Sequence, residues 1–321
     1  MKGEGVMKCW MAVVSLAALL GCSGPETGNE ATRAVPPPPA SASAPNAAEL
    51  ATATYTGIEG QGAVTLVDGK WEGEPFVEGG ASVPTVWLTD GFYLSGSLAD
   101  DASEEAVAHL TFSSGGTGNF GYLAVMGREG GAIVQRGLAE IGDRVQIRDA
   151  RIEDGRVVLD VLQAGPEDGM CCPTQLATRT FAMEGGDLVE TSTEVVGSAS
   201  LATLEGREWV LRKLSSTEAA PSEPEITLII DGDRVSGSSG CNSYHGTIGE
   251  GETATSLTVG PLAATRMACP PEVMDIEQRV TAALQGAQSW GFRLGDLVVN
   301  YQQGESFGSL FFEGREPKPG S

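Results

Sequence analysis

Sulfur ligands and imidazoles carry most of the chemical potential of this chain, and both are sparse. Met170, Cys171 and Cys172 stand together before Pro173-Thr174, Cys241 and Cys269 lie further on, and the histidines are His109 and His245. Two adjacent thiols seldom stay free in an oxidising compartment. Four states are open for Cys171 and Cys172. They are a vicinal disulfide across a distorted peptide, separate pairing of each cysteine, two free buried thiols, or a soft-metal site. A Cu(I)-type ion there would recruit thiolates and the Met170 thioether.

Other chemistries find less support. A Ser-His-Asp triad needs its base within hydrogen-bond reach of the nucleophile, yet the two histidines fall in different parts of the chain, and His109 sits in the apolar run Ala106–Phe112 as a core or face residue. Gly237-Ser238-Ser239-Gly240 is followed by Cys241 where G-x-S-x-G requires its last glycine. The cysteines and histidines lack regular zinc spacing. Gly116-Thr117-Gly118-Asn119-Phe120-Gly121 matches G-x-G-x-x-G, but the run after it reads as a strand, whereas a dinucleotide loop opens a helix. The Gly96–Ala106 stretch, with Asp101 and Glu105, offers too few oxygens for calcium and reads as an acidic surface loop. No spacing singles out a carboxylate pair for glycoside chemistry. The expectation is a protein that is not an enzyme and carries no cofactor.

The elements that hold these residues are mostly strands. Glycines are numerous, at 44, against 9 Phe, 5 Trp and 5 Tyr, a balance typical of strands joined by tight turns. Forty-three acidic against 20 basic residues give a net charge of -23, which disfavours nucleic acid, because that binding rests on Lys and Arg contacts to phosphate. With 321 residues the chain suits two domains and a tail.

The N-terminus reads as a targeting signal. Lys2 and Lys8 precede an apolar run, Trp10 to Leu20, too short to span a membrane. It ends in Leu19-Leu20-Gly21-Cys22, which looks like a bacterial lipobox, so residues 1–21 are a lipoprotein signal peptide and Cys22 is the lipidated residue. Met7 is an alternative start. Residues 22–50 are rich in Pro, Ala and Ser and form a disordered tether.

Residues 51–195 form an all-β domain, an antiparallel sandwich or open barrel. Its strands are read at Ala63–Val67, Ala106–Phe112, Tyr122–Met126, Val145–Ile147 and Arg156–Leu162, with hairpin turns at Asp68-Gly69, Asp154-Gly155 and Gly185-Gly186. The Gly115–Val125 segment, Gly142-Asp143-Arg144-Val145 and Met170-Cys171-Cys172-Pro173-Thr174 together resemble an unnamed domain of bacterial lipoproteins.

Residues 204–313 form the second domain, and 314–321 a disordered tail. Ile226–Gly237 reads as a hairpin about Asp231-Gly232. After Pro270-Pro271, Val273, Ile276, Val280, Ala283, Leu284 and Ala287 recur at helical spacing and face a sheet, with Glu272, Asp275, Glu277 and Gln278 toward water and Gly286 at the end. Trp209-Val210-Leu211, a Gly240-Cys241-Asn242 strand, Thr265-Arg266-Met267 before Cys269 and this acidic helix follow in the order of the META (HslJ-like) family, which the region resembles. Trp209, Gly240, Asn242, Thr265, Arg266 and Met267 are then structural motif residues. Arg266 is either a buried carboxylate partner or an exposed ligand contact. Cys241 and Cys269 are read as a disulfide stapling a strand to the helix entrance.

The resemblance implies a small β fold with one packed helix and a link to heat shock and antibiotic resistance, and no established activity. The expected protein is mainly β, with two small sandwich- or barrel-like domains. Its function is that of a non-catalytic, lipid-anchored envelope lipoprotein, monomeric, binding an unknown protein or small molecule. A redox or soft-metal protein using Met170, Cys171 and Cys172, and an envelope hydrolase, are the alternatives.

Overall fold

The structure, a computed structural model, describes residues 43–75, 77–98, 103–169 and 172–317. The segment read as a signal peptide, Cys22, Met170 and Cys171 lie outside the described residues. Packing begins before residue 51. Asn46 caps the short helix α1 (Ala47–Leu50) through a capping box with Glu49, Arg128 grips the Glu49 carboxylate at 2.6 Å, and Leu50 is buried. The stretch around Asn46 is thus part of the fold rather than of the tether, because these side chains find partners on the sheet.

The first sheet system follows in chain order as β1 (Thr54–Tyr55), β2 (Val64–Thr65), β3 (Lys70–Glu72), β4 (Thr85–Leu88), β5 (Leu94–Gly96), β6 (Glu105–Ser113), β7 (Phe120–Glu129) and β8 (Ala132–Asp143). Strands β3-β4-β6-β7-β8 form one antiparallel sheet, with β5 also on β6. A second sheet, in the order β12-β11-β10-β9, comprises β9 (Gln146–Glu153), β10 (Arg156–Gln163), β11 (Gln175–Glu184) and β12 (Asp187–Ser198). Alternation along β6 and β7 explains the packing. Ala106, Ala108, Leu110, Tyr122, Ala124 and Met126 face a core shared with Leu50, Tyr55 and Val64, whereas Val107, Leu123 and Val125 face a second core shared with Val157, Leu159 and Phe181. Both faces of these strands are covered, so their apolar runs are nearly continuous. The turns fall on Asp68-Gly69, Asp154-Gly155 and Gly185-Gly186, all at positive φ, as two-residue hairpins of type I′ require.

Glu105 departs from the acidic surface loop expected of its segment. It is fully buried, accepts from the Leu98 N–H at 3.0 Å and the Ser103 hydroxyl at 2.6 Å, and lies 3.7 Å from the Arg136 guanidinium. Those partners satisfy the carboxylate inside the fold. Asp100 and Asp101 lie outside the described residues.

The C-terminal region opens with a 3₁₀ turn, Leu201–Leu204, and runs through β13 (Glu208–Lys213), β14 (Thr227–Asp231), β15 (Arg234–Ser238), β16 (Ser243–Glu250), β17 (Leu257–Val259), β18 (Ala263–Ala264), helix α2 (Pro271–Gln285), β19 (Ala287–Arg293), β20 (Asp296–Gln303) and β21 (Ser306–Arg315). Its sheet has the order β17-β16-β15-β14-β13-β21-β20-β19, with β18 on β16. The two ends meet, since Ser256 bridges Ser289 and the Trp290 N–H donates to Thr255 O at 2.8 Å, so the sheet is a nearly closed barrel. Helix α2 starts at Pro271 and is capped by Gly286, and Val280, Ala283 and Leu284 enter the barrel core. Strand β21 continues past residue 313. Arg315, in the expected tail, holds Glu208 and Glu225 at 2.8 Å each.

The barrel core also takes Leu162 and Leu176 from β10 and β11. Two side chains of the sandwich's second sheet are therefore packed into the barrel core, while the sandwich keeps two clusters of its own.

Candidate functional site

The motif residues of the C-terminal region converge on one point. Gly240, at φ +102°, turns the chain between β15 and β16, and the Ser239 N–H donates to Asn242 O at 2.8 Å to close the bend. Cys241 and Asn242 therefore sit in a tight turn, not in a strand, because only a residue that tolerates positive φ permits the reversal. Cys241 is bonded to Cys269 with Cα atoms 6.1 Å apart, and a loop of this size contributes about 3.5 kcal/mol in the chain-entropy account. The Asn242 Oδ1 accepts from Thr265 Oγ1 at 2.8 Å and from the Met267 N–H at 2.7 Å. Its Nδ2 donates to Glu277 Oε1 at 3.0 Å, and Glu277 Oε2 accepts from Ser239 Oγ at 2.9 Å.

Glu277 is thus turned into the fold, against the expectation that it faces water. The β15–β16 bend covers that side of α2 and supplies three donors, which is what a half-buried carboxylate needs. Trp209 is buried, and its Nε1 donates to Leu204 O at 2.8 Å. Arg266 is exposed and makes no ion pair among the described residues.

This turn, staple and helix lock is the geometric counterpart of the family motifs. Residues 202–310 match the family model of the META domain. No curated protein matches the chain. A solved structure titled "NMR structure of the protein from Burkholderia xenovorans" is 24% identical, covering 40% of this chain and 97% of that one, with a TM-score of 0.29.

The groups with chemical potential are distributed rather than gathered. His109 is buried, shares a 2.7 Å hydrogen bond with Thr89 through Nδ1, and lies 5.5 Å from the Phe92 ring. Burial pulls its imidazole down to about 4. His245 is exposed on β16 of the META domain. Cys172 is disulfide-bonded, and the partner lies outside the described residues. Among the described residues no group of three or more His, Cys, Asp or Glu is placed to hold a metal, and no helix is long and apolar enough to cross a membrane.

A cleft between sandwich and META domain brings together two arginines that make no ion pair among the described residues. It holds about 410 Å³ and is lined by Phe92, Tyr93, Arg148, Arg207, Leu294 and Asp296, among others. Sequence reasoning missed it. Arg148 is the extra residue of a β-bulge in β9: Asp149 stands opposite Asp160, Ile147 opposite Val161, and Arg148 opposite nothing. Bulges re-aim side chains in this way. The Arg148 guanidinium lies 5.3 Å from the Phe292 ring centre, over its face, and its Nε is buried without a hydrogen-bond partner. Burial pushes its pKa down, Asp160 opposes that shift, and the nearby Arg207 charge adds to it. Arg207, exposed, precedes β13 and passes close over Gly314, whose missing Cβ would stand 3.1 Å from Nη1. Burial raises the Asp296 carboxyl, and the Glu313 charge raises it further.

Proposed function

We propose that this chain is a non-catalytic lipoprotein of the bacterial envelope, anchored through Cys22, whose sandwich and META domain act as a single binding body. The Cys241–Cys269 bridge carries the reading, because such bonds form and persist in oxidising compartments, and the Leu19–Cys22 lipobox supplies the route there. Several acyl chains on one cysteine make a stable anchor. The non-catalytic part is supported by how the reactive groups are used. The His109 imidazole is held by Thr89 in a core, and the Glu277 carboxylate is occupied by Asn242 and Ser239.

Membrane fractionation with metabolic palmitate labelling tests the anchor. Wild type is expected in the membrane fraction and labelled, and Cys22→Ala unlabelled. Equal labelling of the variant, or wild type without label, overturns it.

A further inference from the structure

We propose that the cleft between the sandwich and the META domain binds a small monocarboxylate with an apolar body, its carboxylate held between Arg148 and Arg207.

The first observation is charge that has not been neutralised. Acidic residues outnumber basic ones 43 to 20, so carboxylate partners are plentiful. Eight described arginines do pair with carboxylates. Arg148 and Arg207 make no ion pair among the described residues, although they line the same two adjoining hollows, of about 410 and 210 Å³. Three of the acids beside them are already engaged: Asp160 takes Arg151 at 2.8 Å and Thr178 Oγ1 at 2.6 Å, Asp149 takes Arg151 at 3.1 Å, and Glu313 takes Arg212 at 2.6 Å. The two like charges act unfavourably on one another, and a carboxylate placed between them relieves that repulsion directly.

The second observation is that the pair is built. Arg148 is aimed by a bulge and stacked on Phe292, with an orphaned Nε–H. Arg207 has its place because residue 314 is glycine. Guanidinium forks match the two oxygens of a carboxylate.

Ligand charge and shape follow from the rim. Asp149, Asp296 and Glu313 border the same cleft, so a dianion such as phosphate meets more repulsion than a monoanion, and the -23 net charge adds to this. Phe92, Tyr93, Leu94 and Leu294 offer an apolar wall, and the volume lies in the range of small-ligand sites. The carboxylate belongs either to a free acid or to a peptide C-terminus.

This rests on the binding role proposed above and not on the anchor, so palmitate labelling and ligand binding fail independently. Titration calorimetry on the full mature chain, at low ionic strength, uses N-acetyl-L-leucine, a leucine-terminated tripeptide, acetate and inorganic phosphate as probes. One saturable site for N-acetyl-L-leucine is expected, weakened at least ~10-fold by Arg207→Gln and by Arg148→Gln, as loss of a charge-assisted hydrogen bond implies. Arg207 is exposed, so its variant folds even where the Arg148 variant does not. Tripeptide binding tighter than the free acid assigns the source to a chain terminus, and the reverse to a free acid. No saturable binding of either carboxylate at millimolar concentration, unchanged affinity in Arg207→Gln, or tighter binding of phosphate overturns the proposal.

Discussion

The side-chain oxygen of Gln146 accepts a 2.7 Å hydrogen bond from the backbone N–H of Phe292, joining β9 of the sandwich to β19 of the META domain. The neighbouring Gly295 N–H donates to Ile147 O at 3.1 Å. The two regions are thereby held in register beside the cleft that Arg148 and Arg207 line.

Gln146→Ala leaves the Phe292 N–H without its acceptor at a half-buried junction and is expected to cost about 1–2 kcal/mol in urea unfolding. A Cβ at position 291 would stand 2.6 Å from the Gln146 oxygen, so Gly291→Ala displaces the same side chain. The double variant should cost less than the sum of the two, since both remove one interaction.

Asn242→Asp replaces the Nδ2 donor by an oxygen facing the Glu277 carboxylate, now 3.0 Å from that nitrogen. Two carboxylates sharing one site raise the pKa of the pair above its unfolded value. Stability lost at neutral pH, about 2–4 kcal/mol, should return in part as pH falls and the pair takes up a proton. Urea unfolding at pH 7 and pH 5 checks this: the variant's deficit relative to wild type should shrink at the lower pH.

His109 gives a dependence of the same kind with the opposite sign. Burial lowers its pKa to about 4 in the fold, below the ordinary value of about 6.5. The unfolded chain therefore binds the proton first, and stability falls as pH drops from about 6.5 to about 4, by up to about 3 kcal/mol from this group. His109→Gln should flatten that part of the stability profile, while carboxylates continue to titrate below it. An unchanged slope in the variant would place the imidazole in solvent.

Much of the fold is legible in the chain because local patterns carry it. The apolar runs of β6, β7 and β10 and their positive-φ turns are visible in residue order, as is α2 between Pro271 and Gly286. Strands β8, β11 and β12 are not, because their charged and small residues lie on half-exposed faces. Glu277 misleads for a different reason. The helical period places it on the polar face of α2, and only the β15–β16 bend, distant in sequence, turns that face inward. The cleft is illegible for a third reason: a bulge at Arg148 depends on the register between β9 and β10, which no local spacing records. The two cysteines in their motifs announce the staple, whereas two arginines 59 positions apart announce nothing until the sheets meet.

The central claim is that sandwich and META domain are one body, with Leu162 and Leu176 sunk in the barrel core. The most direct measurement is urea unfolding of the mature chain followed in parallel by far-UV circular dichroism and tryptophan fluorescence, since Trp71 and Trp87 report on the sandwich and Trp209 and Trp290 on the barrel. One coincident transition by both probes is the predicted result. Two separated transitions, with the barrel tryptophans unfolding apart from the rest, would contradict it and leave the cleft without a fixed second wall.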